Sequence, residues 1–424
     1  MDEFVIAAMP AAHVGAGAIE QLPAIIRAIG AEAVVVVTDE APASAPAVAT
    51  VTALLADAAM PARVFSGVHQ NPSTDDVAAG AAAVAEAAAG AAAVVEAAAV
   101  TATLRASAPL VARCAPANPR TALWSSWAAP IALVAVGGGS CIDAAKGIAI
   151  AAVNPERGRG LDGRPGLTVP ALPIVAVPTT AGTGAEANAL GLVTDLAAGR
   201  GCYVGQAGSM PAATILDPVL TVSLPPEATA AAGLDALTNA LESYLSPHAN
   251  PWSDGIALQA IRMIAANLEP AVEDGTDLAA RSQLLLAAHM AGIALAHTGP
   301  GLCHAIGRSL SGRPDIARDA TPSMLLPDVL RFRRPARTQQ LADVAFALGV
   351  GESGASPDRN ATAAIDAVAA LRARVGLTAL IADFGITEAH LAQLARDALD
   401  EEALASTSRP PVAAGLAAVL AARG

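Results

Sequence analysis

Aromatic side chains make up only 2% of this 424-residue chain although 54% of it is hydrophobic, so the apolar content is largely alanine and not large core-filling rings. Alanine is the strongest helix former, and the composition points to a helix-rich protein. Basic residues are few: 25 Lys and Arg against 38 Asp and Glu leave a formal net charge of -13. A phosphate-backbone footprint needs clustered cations, so nucleic acid is excluded as a partner. Cysteine is sparse as well. Cys114, Cys141, Cys202 and Cys303 show no CxxC spacing, which excludes a zinc knuckle or disulfide framework and implies free thiols in a reducing compartment. Met1-Asp2-Glu3-Phe4 is acidic where a secretory signal is basic. The longest membrane-like stretch, Val77 to Leu104, is mostly alanine and is interrupted by Glu86 and Glu96. It holds too few large apolar residues for a span and reads as Ala-rich helix or disorder. No membrane partner is expected, and the expected location is cytoplasmic.

A chain of this length exceeds one ordinary domain, and two domains flanking a cleft are expected. Val34-Val35-Val36-Val37, followed by Thr38-Asp39, has the β-branched run and polar end of a buried parallel strand. A helical stretch covers Ala47 to Ala59. Ala62 to Phe65 and Ile131 to Val136 read as further strands, each with a helix-forming segment behind it. Pro170 to Pro178 and Ala213 to Pro218 add two more. Alternating strands and helices imply a doubly wound, Rossmann-like parallel sheet. Roughly residues 90–129 form an Ala-rich insertion longer than an α/β connection needs. From Pro225 onward helical patterns dominate, which sets an α/β domain over residues 1–218 and an all-α domain over 219–424.

Gly137-Gly138-Gly139-Ser140 follows a strand and precedes Asp143-Ala144-Ala145-Lys146, read as the opening of a helix. Bare backbone can approach a pyrophosphate there, and a helix N-terminus supplies N–H donors; the alternative is an ordinary Gly-rich turn. Asp39 ends the first strand of a βα unit, where a carboxylate accepts hydrogen bonds from ribose hydroxyls and repels a 2′-phosphate, favouring NAD over NADP. Pro178 to Glu186 also lies beyond a strand end, and Thr179, Thr180 and Thr183 place hydroxyls among small residues. That suits amide and phosphate contacts. Thr183 with Glu186 three residues later also fits a capping box.

Taken together these pieces resemble the iron-containing, or group III, alcohol dehydrogenase family. The resemblance rests on Asn71-Pro72-Ser73, the Gly137 to Ser140 turn with Asp143 and Lys146, the Thr179 to Glu186 loop, Gly233 to Thr238, Gly299 to His304, and Leu325-Leu326-Pro327. It implies a cofactor site made by Asp39, Asn71, Gly137, Gly138, Gly139, Ser140, Asp143, Thr179, Thr180 and Thr183. It further implies a helical C-terminal domain, a dimer, and a divalent metal in the cleft that polarises an alcohol or aldehyde oxygen during hydride transfer.

At the metal the carry-over breaks. Asp235 and His304 occupy two ligand positions of the family, but the position four residues after Asp235 is Asn239 and the last is Arg318. Arg308 stands where the family has a further histidine near the reacting centre. A guanidinium repels a divalent ion, so a tightly bound metal is not expected. Arg308 and Arg318 can instead polarise a carbonyl or clamp a carboxylate. Maleylacetate reductases, of the same superfamily, work without metal on an acidic substrate. The sequence therefore suggests an NAD-dependent reductase or dehydrogenase acting on a small alcohol, aldehyde or keto acid, acidic substrates included, with His304, Arg308 and Arg318 as catalytic candidates. The alternatives are a catalytically silent or non-redox NAD-binding relative in a biosynthetic pathway, and a lyase using NAD transiently.

Overall fold

The structure, a computed structural model, describes residues 4, 6, 9–103, 131–154, 169–196, 200–205, 207–310 and 320–378. Its N-terminal α/β domain contains strands β1 (Ala11–Val14), β2 (Ala33–Asp39), β3 (Ala62–Val68), β4 (Ile131–Gly137), β5 (Ile174–Pro178), β6 (Gly191–Asp195), β7 (Arg200–Val204) and β8 (Ala213–Leu216). Six of them form one parallel sheet in the order β1-β8-β5-β4-β2-β3, while β6 and β7 pair as a separate antiparallel hairpin. Helices α1 (Leu22–Ala28), α2 (Ala45–Asp57), α3 (Thr74–Thr103) and α4 (Gly139–Ala151) connect the strands.

The sheet is covered on both faces because its central strands β2, β4 and β5 are apolar and buried along nearly their whole length. Val34, Val36, Val134, Val136, Val175 and Val177 pack with Leu22 and Ile26 of α1 and with Val51 and Leu55 of α2. The alternate residues Val35, Val37, Leu133, Ala135, Ile174 and Ala176 face Val77 and Val84 of α3 and Ile142 and Ile148 of α4. Burying each large aliphatic side chain stabilises the domain by roughly 1.5–3 kcal/mol, so aliphatic residues carry most of the sheet's packing, with Phe65 at its edge.

Two features depart from the sequence expectations. Strand β1 and the β6–β7 hairpin were not anticipated: β1 is short and mostly exposed, and the hairpin takes its position from outside contacts, including Thr194 N–H donated to Pro72 O at 2.7 Å. The start of the expected insertion, residues 90–103, continues α3 as helix, and the rest of it lies outside the described residues.

The C-terminal half is helical: α5 (Pro226–Tyr244), α6 (Pro251–Glu273), α7 (Leu278–Thr298), α8 (Leu302–Leu310), α9 (Ala320–Ala347) and α10 (Pro357–Arg374). Local chemistry sets several ends. Asn250 and Ser253 form a capping box at α6, Asp277 caps α7, and Gly299, at φ 74°, terminates it. α9 is two helices merged across a kink at Arg337, two residues beyond Pro335. α7 is long and apolar enough by length and composition to cross a membrane. Here it is a core helix, packed against α5, α6 and the turn at Ala185–Ala187.

The two halves meet backbone to backbone. Gly184 has φ 62°, and a Cβ there would lie 2.5 Å from Gly292 Cα on α7; a Cβ on Gly292 would meet Gly184 O at 2.5 Å. Neither neighbour is a side chain that can turn away. Gly292→Ala is therefore expected to cost about 1–3 kcal/mol and lower the thermal midpoint. Gly255→Ala, on α6 with nothing within 4 Å, should be neutral or raise it. Melting curves of the two variants side by side check the contrast, and equal effects would remove the interface from the argument.

Candidate functional site

After β2 the chain builds β3 at the sheet edge, then crosses back to lay β4 on the other side of β2 and continues away to β5. The strand order reverses between β2 and β4, and ligands of such sheets sit beyond the carboxyl ends of strands at that reversal. Asp39 ends β2 and Gly137 ends β4. Gly137 has φ 145°, and a Cβ there would sit 2.4 Å from Cys141 Sγ. With glycine in place, the Cys141 thiol donates to Asp39 Oδ2 at 3.4 Å while Ala41 N–H donates to Oδ1 at 3.1 Å, so the carboxylate is held from two sides. Burial first, and then the Asp39 charge, push the Cys141 thiol well above its usual range and keep it a donor.

Gly138 is the N-cap of α4, so the glycine turn is itself the first helical turn, and Asp143, expected to open the helix, lies one turn inside. A Cβ on Gly139 would come within 2.6 Å of the Thr183 side chain. The expected capping box does not form. Thr183 Oγ1 accepts from Ala185 N–H at 3.3 Å, but Glu186 turns away to the buried His289 on α7, Oε1 to Nδ1 3.1 Å. The short turn is capped by Gly184 in the left-handed region instead.

Lys146, the only lysine in the sequence, is fully buried beneath this loop. Its ammonium donates to Ala185 O (2.7 Å), Asn188 Oδ1 (3.1 Å) and Leu190 O (2.6 Å), with Asp143 Oδ1 at 3.8 Å. Asp143 Oδ2 in turn accepts from Leu192 N–H at 3.0 Å, so α4 pins both the loop exit and the hairpin. A buried cation is tolerable only with such a set of acceptors. Asn71, at φ 57°, takes the left-handed conformation that asparagine tolerates.

These elements form one wall of a cleft of about 660 Å³, lined by Asp39, Asn71, Gly138, Gly139, Ser140, Asp143, Thr179, Thr180 and Thr183. The opposite wall brings Asp235 and Asn239 of α5 and His304 of α8 to the same cavity. The Asn239 amide donates through Nδ2 to Gly182 O (3.4 Å) and Thr183 O (3.3 Å). Both neighbours can only accept, which fixes the orientation of the amide. Its Oδ1 is buried and has no hydrogen-bond partner among the described residues, a situation that costs about 1–3 kcal/mol.

Sequence reasoning missed Glu242. Fully enclosed on α5, it accepts from Gly301 N–H (2.9 Å) and Cys303 N–H (2.5 Å) and pairs with His304 Nδ1 at 2.5 Å. His304 is thus held by a carboxylate on another helix and not within its own, as a purely local reading would have it. Burial works to raise the Glu242 pKa, but His304, the buried Arg333 and the backbone donor outweigh it and hold the carboxyl below its ordinary value. The signal was available: Glu242 follows Asn239 by three positions and Asp235 by seven, on one helical face. Among the described residues no three His, Cys, Asp or Glu side chains gather as a metal site. Arg308 lies on α8 one turn beyond His304, and Arg318 falls outside the described residues.

Comparison with known proteins gives a consistent picture. Residues 10–106 and 124–218 match the description "Iron-containing alcohol dehydrogenase", and residues 229–423 match "Fe-containing alcohol dehydrogenase family, C-terminal". The chain is 39% identical over 277 residues to the probable alcohol dehydrogenase EutG of Escherichia coli, covering 65% of this chain and 69% of that one. It is 36% identical over 282 residues to the NAD-dependent methanol dehydrogenase of Bacillus methanolicus, covering 66% and 74%. Among solved structures, a 1,3-propanediol oxidoreductase superposes with a TM-score of 0.85 at 30% identity, covering 99% of this chain and all of that one (100%).

Because Glu242 gathers two backbone donors and an imidazole in a buried place, Glu242→Ala should destabilise the protein by about 3–5 kcal/mol, whereas Glu242→Gln, which keeps the shape and one acceptor oxygen, should cost less. Thermal denaturation of the two variants measures the difference. Equal and small losses would mean that the start of α8 does not depend on this carboxylate.

Proposed function

The chain belongs to the iron-containing alcohol dehydrogenase family, and we propose that it is an NAD-dependent oxidoreductase that exchanges hydride between the nicotinamide and a small alcohol or carbonyl compound, without a tightly bound catalytic metal. The observation that carries this reading is the cleft itself. The crevice at the strand-order reversal and the Glu242-held His304 open into one cavity.

The α/β wall suits NAD. The α4 N-terminus, Gly138, Gly139 and Ser140, offers bare backbone and a positive dipole end to a pyrophosphate. Thr179, Thr180, Thr183 and Asn71 add polar groups along the same wall, and Asp39 is oriented to accept from ribose hydroxyls and repel a 2′-phosphate. The NAD dependence in the name of the Bacillus methanolicus relative supports this cofactor. When bound, NAD supplies the hydride donor or acceptor.

A divalent metal fits the donor set poorly. Asp235 and His304 are two donors, Asn239 stands at the next position, and a catalytic site ordinarily takes three protein ligands. With Nδ1 committed to the Glu242 carboxylate, His304 exchanges protons through Nε2: it takes the hydroxyl proton during alcohol oxidation and returns it during carbonyl reduction. Arg308 and Arg318 remain the candidates for polarising the carbonyl. The dehydrogenase names of the relatives favour this redox reading over a silent scaffold or a lyase.

Chelator-treated protein should oxidise NADH with small aldehydes and use NADPH poorly. His304→Ala should lower kcat by about 10²–10⁴ while NADH fluorescence titration stays unchanged. Stoichiometric zinc or iron in the purified protein, with activity abolished by its removal, would overturn the metal-free reading.

A further inference from the structure

We propose that Cys141 is a positioning residue of the cofactor site: its thiol holds the Asp39 carboxylate in the orientation that accepts both hydroxyls of an adenosine ribose, and so sets a preference for NADH over NADPH. This rests on the NAD reading of the cleft and adds to it the residue that aims its selectivity. Asp39 is half-buried and lines the cleft, but regular sheet pairing does not fix its side chain. The register between β2 and β3 is even from Val34 to Val37 and shifts before Asp39 pairs with Val68. Such an irregularity re-aims the side chain beside it, which then needs anchors of its own. Asp39 has two: Ala41 N–H donates to Oδ1 at 3.1 Å and the Cys141 thiol to Oδ2 at 3.4 Å.

An ionised carboxylate offers about four acceptor sites, shared between its two oxygens. The anchors take one from each oxygen and leave one on each, which matches the adjacent hydroxyls of a ribose. They come from different elements, Ala41 from the chain just after β2 and Cys141 from the first turn of α4. One anchor alone would let the carboxylate rotate; the pair removes that freedom. Cys141 reaches Asp39 because position 137 is glycine: a Cβ there would stand 2.4 Å from Sγ and 3.8 Å from Asp39 Oδ2. The thiol is also kept in its donor form. It is fully buried, and burial together with the Asp39 charge holds it well above the ordinary thiol range. A 2′-phosphate at the same place meets a carboxylate that cannot turn aside.

Fluorescence titrations of the full chain with NADH and with NADPH test the assignment. The unaltered protein is expected to bind NADH at least about tenfold more tightly than NADPH. Cys141→Ala removes the donor and should lower that ratio about three- to tenfold, chiefly by weakening NADH, which is the worth of one hydrogen bond. Cys141→Ser removes nearly the same volume but keeps a donor, and should hold the ratio within about twofold. Where alanine disturbs α4, Cys141→Val fills the site without a donor and carries the same expectation as alanine. A thiol that only fills space would give serine and alanine the same ratio, so equal ratios in these two variants overturn the proposal. Selective NADH binding that survives both alanine and valine removes the role of Cys141 and leaves the cofactor reading intact. Failure of the unaltered protein to bind either nucleotide overturns both.

Discussion

The loop from Thr179 to Asn188 is where the two halves of the molecule are brought into register, and the geometry of the cleft depends on how closely other backbone can approach it. Gly139 meets Thr183 from the α/β side, Gly182 lies against the backbone of Ala232 on α5, and Gly184 lies against Gly292 on α7. Hydrogen bonds act across the same contacts: Lys146 to Ala185 O from below, Glu186 to His289 and Asn239 to two loop carbonyls from the helical side. The α/β wall of the cleft and the α5 wall are thus positioned by one short segment. Small residues there are a steric requirement, since any Cβ at Gly184 or Gly292 forces the halves apart.

The α/β half of the cleft was readable in advance because its backbone is written in runs. A β-branched strand ending in Asp39, a triple glycine after another strand and a threonine-rich segment after a third each specify backbone conformation as well as contacts, and they leave local traces. Strand β1 and the β6–β7 hairpin were not readable for the opposite reason. Their placement comes from partners far away in the chain, such as Asp143 for Leu192 and Pro72 for Thr194, while their own sequences carry little apolar alternation. The capping box failed similarly: Thr183 and Glu186 satisfy the local rule, but a buried histidine on α7 competes for the glutamate and prevails. Glu242 is intermediate. Its helical spacing from Asp235 and Asn239 was visible, but its role depends on Gly301, Cys303 and His304, which only the folded chain brings to it.

This difference in how the two walls are built bears on what each can change. The α/β wall is built from a helix N-terminus and positions where a Cβ cannot be accommodated, so a substitution there disturbs the fold and the shape of the cleft together. The opposite wall relies on single side chains projecting from helices whose packing is set by other residues, Leu234, Leu237 and Leu241 among them on α5. Exchanging one such side chain leaves α5 in place and alters only the chemistry presented to the cleft. An amide at position 239 keeps the helix and holds the loop carbonyls of Gly182 and Thr183.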